Sequence, residues 1–145
     1  MYTGNHKPNE REIKMANFTY TDGGRAEAGY KGTANDCATR ALSIAEDIHY
    51  QVIYQDVNRF LKTTFFENLT ARQGLPEEIV KRYYGKMGWR YIQVSEGYVT
   101  HDKLPGGKVI LNLEDHVSTV IDGVIHDDHD WTKENYKVLG YWRKR

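Results

Sequence analysis

The chain has 145 residues, 20 Lys+Arg against 20 Asp+Glu and one cysteine, so its formal net charge is zero and no intrachain disulfide can form. Zero charge removes bulk electrostatic attraction to nucleic acid or to an anionic membrane face, and a lone Cys removes the disulfide-stapled secreted scaffolds. Mean hydropathy is low at −0.72, yet eleven Tyr, three Trp and four Phe supply the core-forming side chains that disordered chains lack, at a length suited to one domain.

Residues 1–16 are polar, contain Pro8 and show no period, so they are expected to be a flexible leader. They include no apolar stretch of the kind a signal peptide needs, and no run elsewhere is long enough to span a bilayer. The expected location is the cytoplasm, with residues 17–145 as a single domain. After the leader come Asp22-Gly-Gly-Arg25 and Gly29-Tyr-Lys-Gly32, which predict turns and an extended approach to the first helix.

Ala38, Ala41, Leu42 and Ala45 recur at helix spacing and predict a helix from about Asp36 with a narrow, closely packed face. Thr33, Asn35 and Asp36 are candidate caps. Val52, Ile53, Val57, Phe60 and Leu61 predict a second helix; a third is expected to start near Pro76, with Glu77 and Glu78 in its first turn, and to end before Gly88. Tyr83, Tyr84 and Trp89 are expected in the core or in a groove wall. Beyond Gly88 the period changes. Trp89–Val94, Lys108–Leu113, His116–Ile121 and Tyr136–Trp142 read as strands, and Asp122-Gly123 between two apolar runs is a strong hairpin signal. Helices first and strands after predict an α+β class with a mostly antiparallel sheet. The basic tail, Arg143-Lys-Arg145, reads as solvated.

Cys37 falls at the predicted start of the first helix, where unpaired backbone N–H groups and the helix dipole favour an anion and hence the nucleophilic thiolate. An ordinary buried cysteine is the alternative. His116 opens a strand, and taken alone it reads as a polar strand-end residue. The hairpin changes its standing. With a two-residue Asp122-Gly123 loop, Ile121 pairs with Val124, Ser118 faces Asp127 and His116 faces His129. Asp127 then lies one diagonal step from His116 on the same sheet face, within side-chain reach, while Asp128 and Asp130 point the other way. A carboxylate beside an imidazole fixes its tautomer and stabilises its charged form. The same register leaves a metal site at His116, Asp127 and His129 geometrically open, whereas His126 and Asp128 lie on the opposite face; a solvated acidic turn is the simpler reading of that cluster.

Three segments together, Asp22-Gly-Gly-Arg25, Ala28-Gly-Tyr-Lys-Gly32 and Asn35-Asp-Cys-Ala-Thr-Arg-Ala-Leu42, resemble small papain-like cysteine peptidases common in bacteriophage genomes. So does His116-Val-Ser-Thr-Val-Ile-Asp-Gly-Val-Ile-His-Asp127, and the resemblance runs from about Asn17 to Trp142. It implies a papain-like fold, a nucleophile helix packed on an antiparallel sheet. It also implies Cys37 as nucleophile, His116 as base and Asp127 as orienting acid, with no cofactor. Lys31 stands where such peptidases usually carry an oxyanion-hole Gln; Asn35, the Cys37 backbone N–H, or both are then the candidate donors. The implied activity is thiol-dependent acyl transfer on a protein or peptide substrate, as peptidase or related amidase or deamidase, in a host cytoplasm if the protein is phage-encoded. Two other classes remain open: a catalytically inactive papain-like binding module directed at a host protein, and a metal-dependent hydrolase built on His116 and the His126–Asp130 cluster.

Overall fold

The computed structural model describes residues 18–32, 34–64, 68–94, 104–134 and 136–145; the expected leader and Thr33 lie outside these. Within them the chain is a mixed α+β fold of three helices and one six-stranded sheet.

Helix α1 spans Cys37–Glu46, and its small residues allow close approach to the sheet: Ala38, Ala41, Leu42 and Ala45 are all buried. Asp36 occupies the N-cap position but makes no side-chain cap. Its carboxylate instead accepts hydrogen bonds from Arg40 Nε, at 3.0 Å, and from the Tyr50 hydroxyl. The helix ends at Asp47, left-handed at φ 53°. Helix α2, Tyr50–Thr63, is capped by His49, whose Nδ1 accepts from Gln51 N–H. Its buried stripe is Tyr50, Ile53, Val57, Phe60 and Leu61, whereas Val52, one of the residues that predicted the helix, is 55% exposed. The stripe runs through Tyr50, Ile53, Val57 and Phe60–Leu61, and Val52 lies to one side of it. Helix α3, Glu77–Lys86, begins directly after Pro76 and ends before Gly88. Tyr83 and Tyr84 are buried on it, donating to Asp56 Oδ2 (2.6 Å) and to the Ala38 carbonyl (2.7 Å).

The strands are β1 (Phe18–Tyr20), β2 (Trp89–Gln93), β3 (Lys108–Leu113), β4 (His116–Ile121), β5 (Val124–Asp127) and β6 (Val138–Lys144), in the order β1-β5-β4-β3-β6-β2. The last strand starts later and runs further than its pattern predicts. All neighbours are antiparallel except β1 and β5, which pair in parallel. One strand therefore precedes the helices, correcting the simple order of helices then strands.

Alternation along the strands builds a core on each face of the sheet. Ile110, Val117 and Trp142 pack with Leu42, Ile53, Leu61 and Tyr84 on the helix side. Val109, Leu111, Leu113, Val120, Ile125 and Val138 form a second cluster, covered by Trp131 from a short 3-10 turn (Trp131–Lys133). Gly140 lets β6 approach β2 closely, since a Cβ there would collide with the Tyr91 ring and hydroxyl. Among the described residues, no helix is long and apolar enough to cross a membrane.

Candidate active site

Each candidate side chain is held by a local feature. Cys37 is the first residue of α1, partly exposed. His116 is the first residue of β4, directly after a two-residue Glu114-Asp115 loop in which Asp115 adopts φ 64°. Asp127 is the last residue of β5. Asp122 and Gly123 have φ 49° and 80°, the left-handed pair of a tight hairpin turn. Thr119 pairs with His126, Val120 with Ile125 and Ile121 with Val124, which is the register expected from a two-residue loop.

That register brings His116 and Asp127 together. His116 Nε2 lies 2.7 Å from Asp127 Oδ2. Ser118 Oγ donates to the same oxygen at 2.6 Å, and the Asp128 N–H donates to Asp127 Oδ1 at 2.7 Å. Trp131 Nε1–H in turn donates to Ser118 Oγ at 2.9 Å. The Asp127 carboxylate, 4% exposed, is thus held by several donors in a dry environment. With Nε2 directed at Asp127, Nδ1 is the ring nitrogen left for exchange with another group. Burial alone pushes the His116 imidazole down, but the hydrogen bond and charge of Asp127, and then those of Cys37, outweigh it and raise it to about 9. Cys37 and His116 line one groove of about 870 Å³, together with Asn35, Leu75, Glu77 and Trp142.

Asn35 is exposed at the groove, and its backbone N–H donates to the Arg72 carbonyl at 2.9 Å. Lys31 is exposed, and its carbonyl accepts from Arg25 and Arg72. Asp130 turns away from the imidazole and accepts from Thr132, capping the 3-10 turn. One donor atom from each of His116, Asp127 and His129 lies within 4.8 Å of the other two, so these three residues could hold a metal ion. His126, paired with Thr19 and Thr119, stands on the opposite face, where burial pushes its imidazole down. Asp128, expected there too, instead lies past the end of β5, where the strand alternation stops, and lines the groove beside His116 and His129.

Sequence reasoning missed Arg40. It is buried on α1, bonds Asp36 with Nε, and extends Nη1 to within 2.6 Å of Asp128 Oδ2 and 3.8 Å of Asp127 Oδ1. Burial disfavours its charge, but the hydrogen bond to Asp128 and the three carboxylates more than compensate and raise it. Asp128 is held well below the usual carboxylate range: burial opposes this, and His129 and Arg40 overcome it. Arg25 Nε completes the group at 3.3 Å from Asp36 Oδ2. The spacing of Asp36 and Arg40, one helical turn apart, was the available signal. Gly23, at φ 74°, packs on the Arg40 backbone, where a Cβ would meet Arg40 O at 3.1 Å. The glycine-rich turns before the helix thus close over this ion-pair group. Compared with protein-family models, curated proteins and solved structures, the chain finds no match in any of the three.

Proposed function

We propose that the chain is a papain-like cysteine hydrolase, a peptidase or a related amidase or deamidase, with Cys37 as nucleophile. The observation that carries this reading is the His116–Asp127 contact of 2.7 Å beside Cys37 at one groove. A helix opened by the cysteine, packed on antiparallel strands that supply the histidine and the acid, supports a papain-like fold.

In this mechanism the Cys37 thiolate, formed by proton transfer to His116, attacks an acyl carbon. The carbonyl becomes an oxyanion, for which Asn35 and the Cys37 backbone N–H are the candidate donors. Collapse of the adduct breaks the C–N bond as the His116 imidazolium protonates the departing amine. A thioester remains on Cys37. Neutral His116 then takes a proton from water, which attacks the thioester and releases the acid and the thiolate. Asp127 keeps the ring oriented and stabilises its charged form throughout.

The test is alkylation of Cys37 by iodoacetamide at pH 6 in the native chain and in His116→Ala. Loss of the base is expected to slow the reaction at least about tenfold. Equal rates would remove the enzyme reading and favour a binding module.

A further inference from the structure

We propose that His116, Asp127 and His129 form a binding site for a divalent transition-metal ion of the Zn2+ type, and that an ion on Nε2 of His116 leaves the ring's proton on Nδ1, so that His116 can no longer act as base toward Cys37 and the thiol chemistry is suppressed. The inhibitory half rests on the hydrolase reading above; the binding half does not.

Two of three donor atoms that lie within 4.8 Å of one another come from the ends of adjacent strands, His116 opening β4 and Asp127 closing β5, and the third comes from His129, two residues further on. The two imidazole rings stand 5.0 Å apart between centroids. Two of the three proposed ligands also have an outer layer. Asp127 is oriented by Ser118 Oγ and the Asp128 N–H, while His129 donates Nδ1–H to Asp128 Oδ1 at 2.9 Å. Neutral His129 in that arrangement carries its lone pair on Nε2, and a carboxylate behind a histidine is the usual support of a metal-binding imidazole. Arg40 secures Asp128 from behind at 2.6 Å.

Two nitrogens and one carboxylate oxygen suit Zn2+ or Co2+ better than Mg2+ or Ca2+, which favour all-oxygen shells. Tetrahedral Zn2+ with bonds of ~2.0–2.2 Å requires its donors about 3.3–3.5 Å apart. The His116–Asp127 pair must open slightly from 2.7 Å, and His129, with its side chain 41% exposed beyond the end of β5, has room to close in. The proton held between His116 and Asp127 leaves to solvent as the ion takes its place. His116 and His129 line the groove that also holds Cys37, so an ion there engages the base within the cleft.

The experiment uses the metal-free full chain titrated with Co2+, followed by displacement with Zn2+. Visible absorption of tetrahedral Co2+ is expected at one equivalent and is lost on adding Zn2+. His129→Gln should weaken binding at least about tenfold, whereas His126→Gln, altered on the opposite face, should bind as the native chain does. Zn2+ should also slow alkylation of Cys37 in the native chain and leave it unslowed in His129→Gln. Absence of a Co2+ spectrum, unaltered affinity in His129→Gln, or equal protection of Cys37 in that variant would overturn the proposal. If Cys37 is unreactive in the metal-free native chain, the hydrolase reading fails alone, because the Co2+ spectrum still decides the metal site.

Discussion

Arg40, one turn inside the helix that Cys37 opens, reaches the far end of the hairpin and lies 2.6 Å from Asp128 Oδ2. The pair ties α1 to the residue immediately after Asp127, so the helix carrying the thiol and the strand carrying the carboxylate are joined by charge as well as by packing. Arg40→Gln leaves Asp36, 2% exposed, with less compensation and releases Asp128. Removing one partner of a buried ion pair costs about 3–5 kcal/mol. Urea unfolding at neutral pH should show a loss of this order for Arg40→Gln and a smaller one for Arg40→Lys. Equal stability in all three chains would mean that the network contributes only at the surface.

His116 makes stability depend on pH with a defined sign. Its folded value, raised to about 9, lies above the ordinary 6.5. The imidazolium contribution is therefore complete below about 6.5 and is lost as pH rises through about 9. Between pH 6 and pH 10 the native chain should lose on the order of 3 kcal/mol more than His116→Gln. Denaturant midpoints across that range check this, and parallel curves for the two chains would contradict it.

Asp127 and Asp130 should behave differently. Asp127→Asn retains a hydrogen-bonding partner for the ring but removes the charge, so the His116 imidazole should titrate closer to its ordinary value and Cys37 alkylation near neutral pH should slow about tenfold or more. Asp130→Asn alters only the cap of the 3-10 turn at Thr132 and should leave both readouts unchanged. Titration of the imidazole by NMR separates the two. A silent Asp127→Asn beside a damaging Asp130→Asn would reverse these assignments.

Legibility in the sequence followed the range of the interactions. The face of α1 and the pairing of β4 with β5 depend on local features, alanines at helix spacing and an Asp-Gly turn, and both could be read in advance. Parity then carried Asp127 to His116 without knowledge of the tertiary structure. The parallel pairing of Phe18–Tyr20 with Ile125–Asp127 had no such signal, because three residues show no usable period and the partner is distant in the chain. Arg40 was hidden for another reason. An Asp and an Arg four positions apart on a helix resemble an ordinary solvated ion pair, and it takes distant groups, the Gly23 turn, Arg25, Tyr50 and Asp128, to enclose this one. The five apolar residues that predicted the second helix all lie on it, although Val52 falls outside its buried stripe.

The direction in which Asp36 points has a consequence for the residue beside it. A carboxylate folded over the helix start would put a fixed negative charge against any anion forming on Cys37, and the two would repel. Asp36 instead turns inward to Arg40, Arg25 and the Tyr50 hydroxyl, and its side chain makes no cap on α1. The start of the helix is left facing the groove without the Asp36 carboxylate folded across it. One aspartate thus anchors the domain interior while vacating the position in which it would compete with a sulfur anion.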